Sequence, residues 1–79
     1  MTESLTCAAE VDASGLNCPL PLLKAKMALN GLDSGALLKV IATDAGSQRD
    51  FHTFARLSGH ALVDERIDGG VYTYWLRKA

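Results

Sequence analysis

Turn-forming residues divide this 79-residue chain into six short segments, and the order of their hydrophobic patterns restricts the possible folds. Residues 8–13 alternate apolar and polar side chains, which predicts a strand with one solvent-facing side. Residues 37–43 are almost entirely apolar, as expected for a central strand. Two further strands, over residues 61–67 and 71–77, are predicted to be joined by a two-residue hairpin turn at Asp68-Gly69.

The segments between the first three strands have the spacing of helices. Residues 19–32 end near Asn30-Gly31, a typical helix C-terminus. Residues 45–58 follow Asp44, which we expect to cap the helix, and end before a glycine. The order βαβαββ with right-handed crossovers predicts an α+β fold, a two-layer α/β sandwich with a four-stranded mixed sheet and both helices on one face. We expect one domain over residues 8–79 after a frayed segment, residues 1–7.

The first helix carries apolar side chains on two opposite sides. Because helical positions advance by about 100° per residue, the apolar residues separate into two stripes. The longer stripe contains Leu22, Ala25, Ala28, Leu29 and Leu32. The shorter stripe, called here the α1 apolar stripe, contains Leu20, Leu23 and Met27. A two-layer fold covers one side of a helix, so we assign the longer stripe to the core and expect the α1 apolar stripe to form an exposed docking site. The alternative is that the N-terminal segment wraps over it.

The second helix has one apolar and one basic side. We expect the residues that face the sheet to be Phe51, Phe54, Ala55 and Ser58. The opposite side carries Arg49, His52 and Arg56. This basic side is either a solvated face or a contact surface for an anion or a partner.

Composition excludes several classes of function. The 8 Lys and Arg residues and 9 Asp and Glu residues give a net charge of −1, so the chain as a whole does not attract nucleic acid or anionic lipid. No apolar run approaches the ~20 residues that span a bilayer, and the first residues lack a signal-peptide pattern. We therefore expect no membrane partner and a reducing cytoplasmic location. Two cysteines, with His52 and His60, match no zinc pattern, so neither a metal nor a cofactor is expected.

The Cys18-Pro19-Leu20-Pro21 segment is the most informative chemical feature. It opens the first helix, which predicts Cys18 at the N-cap and Pro19 at the first helical position. Since Pro21 lacks an N–H, Leu20 is the main backbone donor available to the sulfur. The positive end of the helix dipole should then lower the pKa of the Cys18 thiol modestly. Without an accompanying acid–base pair or phosphate loop, the expected chemistry is attack on a persulfide or disulfide followed by donation of sulfur.

The other cysteine, Cys7, precedes the first strand, whereas Cys18 follows it. At ~3.3 Å per residue, a strand of this length separates the two well beyond the ~7 Å Cα limit for a disulfide. This argues against a dithiol mechanism. A redox or peroxide-sensing thiol, which would form a sulfenic acid at Cys18 and then a disulfide with Cys7, is an alternative interpretation.

Three segments together resemble the TusA (SirA-like) family of sulfur carriers over about residues 10–78. They are the Gly-Leu-x-Cys-Pro-x-Pro motif within residues 12–21, the Asp-x4-Arg-Asp motif within residues 43–50, and residues 72–78. The resemblance implies the same βαβαββ sandwich and a sulfurtransferase-type carrier, a persulfide relay rather than an enzyme that turns over alone. Sulfane sulfur would reach Cys18 from a cysteine desulfurase or rhodanese-like donor and pass to a downstream acceptor protein.

The resemblance also implies possible outlets for the sulfur: tRNA 2-thiouridine formation, molybdenum cofactor maturation or sulfur oxidation. Family members devoted to tRNA thiolation often carry an acidic residue between the two prolines, where this chain has Leu20, and this departure argues against tRNA contact. Asp44 and Arg49 match family positions associated with partner contact. The expected partner-binding residues are therefore Pro19, Leu20, Pro21, Leu23, Met27, Asp44 and Arg49. The competing interpretation is a non-catalytic regulatory or nucleic-acid-binding module that uses the face of Arg49, His52 and Arg56.

Overall fold

The computed structural model describes residues 7–79 and contains, within them, four strands and two helices in the predicted order. The strands are β1 (Ala9–Ala13), β2 (Leu37–Ala42), β3 (Ala61–Asp68) and β4 (Val71–Arg77). The helices are α1 (Leu20–Asn30) and α2 (Gly46–Ser58). Of the segment expected to fray, all but Cys7 lies outside the described residues. Within residues 7–79, no helix has the length and apolar content needed to cross a bilayer.

The strands form one mixed sheet in the order β1-β2-β4-β3, which confirms the predicted fold class. β1 and β2 are parallel, and the other two neighbouring pairs are antiparallel. Because β1 and β2 are parallel, their last residues, Ala13 and Ala42, pair at the same edge of the sheet. We call this the carboxyl edge. The residues that follow each strand lead directly into a helix, so α1 and α2 both begin beyond the carboxyl edge.

The core lies between one face of the sheet and the two helices. Alternate positions of the central strands β2 and β4 point into it, as the period of two in a strand requires. The cluster consists of Ala25, Leu29, Leu38, Val40, Ala42, Phe51, Tyr74 and Leu76, all 0–1% exposed. Both helices pack on this face and against each other, so the two-layer arrangement is also confirmed.

Helix α1 places its two stripes as predicted. Ala25 and Leu29 are buried, and the rest of the longer stripe packs partly against the core. The α1 apolar stripe is solvent-exposed: Leu20 is 46%, Leu23 47% and Met27 74% accessible. On α2, Phe51 is buried as expected, but Ser58 is exposed, because the helix ends there and Gly59 turns the chain away.

The β3–β4 hairpin turn lies one residue later than predicted. Asp68 pairs with Val71, so the two loop residues are Gly69 and Gly70, with φ angles of 57° and 83°. A tight hairpin turn of this kind needs positive φ at both positions, which glycine adopts without a steric penalty. Asp68 therefore remains in the strand.

Candidate functional site

The loop between β1 and α1 is fixed to the carboxyl edge by hydrogen bonds. The Gly15 N–H donates to Thr43 Oγ1 at 2.8 Å, which joins this loop to the residue after β2. The Leu16 N–H donates to the Ala13 carbonyl at 3.2 Å. Gly15 has a φ of 81°, a left-handed conformation that favours glycine. These contacts hold the loop that presents Cys18.

Cys18 is an exposed free thiol that stands just before α1 rather than at its N-cap. Pro19 occupies the cap position, and no side chain caps the helix, so the predicted positions of Cys18 and Pro19 are wrong. The physical reason is the hydrogen bond made by the Leu20 N–H, which was expected to donate to the sulfur of Cys18. It donates to the Asn17 carbonyl at 2.9 Å and closes a turn there. The Cys18–Pro19 peptide bond is cis.

The sulfur of Cys18 contacts the first turn of α2. Its S–H donates a hydrogen bond to Oδ2 of Asp50, a residue 32 positions later in the sequence. This hydrogen bond raises the pKa of the Cys18 thiol, and desolvation and the negative charges of Asp50 and Asp44 act in the same direction, while Arg49 opposes them. The predicted lowering of the Cys18 pKa is therefore wrong. A carboxylate in contact with the sulfur outweighs a helix terminus that the sulfur does not cap.

Gly46, the first residue of α2, packs against the same sulfur. A Cβ at this position would lie 2.9 Å from Asp44 Oδ2, 3.4 Å from Cys18 Cβ and 3.6 Å from Cys18 Sγ. Asp44 Oδ2 accepts the Gly46 N–H at 3.1 Å. Asp44 thus satisfies a donor at the start of α2, although Ala45 occupies the N-cap position. Because Gly46 has no side chain, Cys18 and Asp44 can both lie close to the start of α2.

Asp50 ends the Asp-x4-Arg-Asp motif, but neither Asp50 nor Gly46 was among the site residues predicted from the sequence. The predicted topology nevertheless pointed to this contact. Because β1 and β2 are parallel, the starts of α1 and α2 lie at the same edge of the sheet. Polar residues in the first turn of α2 are then candidates to meet the residues before α1. Asp50 also directly precedes the buried Phe51, which fixes the direction of its side chain.

The expected partner-binding residues do not all reach the surface. Pro19 and Arg49 are exposed with the α1 apolar stripe, and Asp44 is partly buried. Pro21 is fully buried, so its side chain packs in the interior and is not available for contact. Its inclusion in the contact surface is corrected to a packing role at the start of α1.

A groove of about 560 Å³ runs between the two helices beside this site. Its apolar lining includes Leu22, Phe54 and Leu57, and Arg49 and Asp50 line it as well. Leu57 is 73% exposed, an apolar surface residue that the sequence analysis did not identify. The groove and the α1 apolar stripe give the surface beside Cys18 a mixed apolar and basic character.

The alternative interpretations find less support in the arrangement of side chains. His52 contacts Glu65 on β3, and Gln48 donates to the same carboxylate, while Arg49 lines the groove. Glu65 therefore places a negative charge against the basic side of α2 at His52. The Ala8 N–H pairs with the Leu37 carbonyl, so Cys7 lies near the start of β2, at the sheet edge opposite to Cys18. That separation agrees with the predicted distance and argues against a disulfide between the two cysteines.

The sequence of the chain is similar to those of known sulfur-carrier proteins. The family described as sulfurtransferase TusA matches residues 9–78. The sulfur carrier protein TusA of Allochromatium vinosum is 50% identical over 70 residues, which cover 89% of this chain and 92% of that protein. The sulfur carrier protein TusA of Pseudomonas syringae pv. syringae is 46% identical over 76 residues, covering 96% and 90%.

A solved structure is similar as well. The crystal structure of a SirA-like protein from Desulfitobacterium hafniense superposes with a TM-score of 0.76 at 27% identity, covering 87% of this chain and 95% of that one. Fold, motif and sequence identity over nearly the whole described chain therefore agree, and the chain belongs to the TusA family of sulfur carriers.

Proposed function

We propose that this carrier holds sulfane sulfur as a persulfide on Cys18 and relays it between two proteins in the cytoplasm. The observation that carries the proposal is the exposed thiol of Cys18 at the carboxyl edge, directly before the exposed α1 apolar stripe. A nucleophile that exchanges sulfur with other proteins must be reachable by a second active site. An apolar surface beside it supplies the area for that contact.

The loading step is an exchange at sulfur. The Cys18 thiolate attacks the outer sulfur of a persulfide on the donor, a cysteine desulfurase or a rhodanese-like protein. A new S–S bond forms on Cys18, the S–S bond of the donor breaks, and the inner sulfur of the donor leaves as a thiolate. In the unloading step, a nucleophile of the acceptor protein attacks the outer sulfur on Cys18, which returns as a thiolate.

The surface beside the thiol suits an acceptor protein. Leu20 is 46% exposed immediately after the Cys-Pro pair and carries no charge. Leu23 and Met27 continue the same apolar surface along α1. Of the outlets implied by the family, molybdenum cofactor maturation and sulfur oxidation, which deliver to a protein, fit this surface better than direct tRNA contact.

The test is intact mass spectrometry after incubation with a cysteine desulfurase and free cysteine. Wild type and Cys7→Ser are expected to gain the mass of one sulfur atom, which a thiol reductant removes. Cys18→Ser is expected to gain none, and Cys7→Ser is its matched control because it also removes one thiol. Persistent sulfur loading of Cys18→Ser would overturn the proposal.

A further inference from the structure

We propose that Asp50 is a positioning residue that holds Cys18 of the unloaded carrier as a protonated thiol. The inference rests on the proposed function, since it concerns the resting state of the same sulfur. It assigns a role to a residue of α2 that lies outside the Cys-Pro-Leu-Pro segment. The role follows from the contact between the Cys18 S–H and Asp50 Oδ2 and from the charges around it.

An ionised carboxylate only accepts hydrogen bonds, so Asp50 can bond to a thiol but not to a thiolate. Removing the proton from Cys18 would leave two anions in contact, which is unfavourable. Carboxylic acids are far stronger acids than thiols, so in a thiol–carboxylate hydrogen bond the proton stays on the sulfur. The contact therefore selects the protonated sulfur.

The remaining charges near the sulfur do not reverse this preference. Asp44, in the loop before α2, adds a second negative charge, and Arg49 on α2 is the opposing positive charge. Residues 13–23, which run from the end of β1 into α1, contain no charged side chain. The first charged residues of α1 are Lys24 and Lys26. Lys26 lines the groove together with Asp50, but neither lysine is among the charges that shift the pKa of Cys18.

Loading with sulfur changes this contact. In a persulfide, Cys18 Sγ is bonded to Cβ and to the outer sulfur and has no hydrogen to donate. The hydrogen bond to Asp50 is therefore lost, and the negative carboxylate repels an ionised outer sulfur. Asp50 thereby stabilises the unloaded carrier as an unreactive thiol and favours an outward position of the transferred sulfur.

The experiment measures how fast Cys18 is alkylated by iodoacetamide across a range of pH, in a Cys7→Ser background so that one thiol reacts. Asp50→Asn keeps the shape of the side chain, removes its charge and offers an N–H to the thiolate. We expect the midpoint of the alkylation profile to move to lower pH and the rate at neutral pH to rise several-fold. Asp33→Asn, at the opposite edge before β2, is the matched control and should leave the profile unchanged.

A midpoint that stays in place or moves to higher pH in Asp50→Asn would overturn the inference. Should Asp50→Asn fail to fold by circular dichroism, Asp50→Ser decides by the same profile. Because alkylation needs no sulfur donor, this result is independent of the loading test. Failure of the inference with sulfur still gained on Cys18 would leave the proposed function intact, whereas sulfur gained by Cys18→Ser would remove the proposed function.

Discussion

The two helices begin at the same edge of the sheet but are packed in different ways. The first turns of α2 are anchored in the interior, where the Phe51 ring stacks on Tyr74 at 4.5 Å and Ser47 shares a buried 2.8 Å hydrogen bond with the Tyr74 hydroxyl. The start of α1 instead exposes Leu20 and Leu23 to solvent. The start of α2 is thus fixed to the core through Phe51 and Ser47, whereas the start of α1 leaves an apolar surface exposed, and Cys18 lies between the two starts.

The strongest test of this comparison is Phe51→Ala. Phe51 is fully buried, so its removal leaves a cavity against Tyr74 and should lower the free energy of unfolding by about 3–5 kcal/mol. Denaturant unfolding followed by fluorescence of Trp75, the one tryptophan of the chain, measures this change. A loss below ~1 kcal/mol would show that Phe51 does not anchor the start of α2.

Gly46→Ala tests the close approach of α2 to the thiol. The added Cβ displaces the Asp44 carboxylate and presses on Cys18, both of which are side chains that can move. We expect a change in the free energy of unfolding within ~1 kcal/mol, because alanine favours a helix while the Asp44 contact is weakened. Sulfur loading from a desulfurase should nevertheless slow, as measured by intact mass over time. Unaltered loading would mean that this packing does not matter for the chemistry.

The smallest effect on stability is expected at the α1 apolar stripe. The double variant Leu23→Ser, Met27→Ser replaces exposed side chains, so the free energy of unfolding should change within ~0.5 kcal/mol per site. Loading from a desulfurase should fall several-fold, whereas loading from inorganic polysulfide, which needs no docking, should be unchanged.

Val63→Ser is the control for that variant, since Val63 is 36% exposed on β3, at the far side of the sheet from β1. It should load at the wild-type rate from both donors. Equal loss in the control and the stripe variant would indicate a general effect of surface polarity instead of a docking site on α1.

Local patterns predicted the elements and the exposed stripe, because these depend on periodicity within one segment. The β4 boundaries, Val71–Arg77, were predicted without error. The environment of Cys18 was not predicted, because it depends on a residue 32 positions away whose direction is set by the burial of Phe51. The N-cap prediction failed for a local reason, since Asn17 accepts the Leu20 N–H before the sulfur can.

The hydrogen bond between Cys18 and Asp50 joins two distant parts of the chain, so it exists only while the sheet holds both helices at one edge. Loss of tertiary structure would return this sulfur to the acidity of a cysteine in a short peptide. The rate at which Cys18 is chemically labelled at fixed pH would then report on folding at one site. A substitution that destabilises the core would increase this labelling rate, wherever in the core it lies.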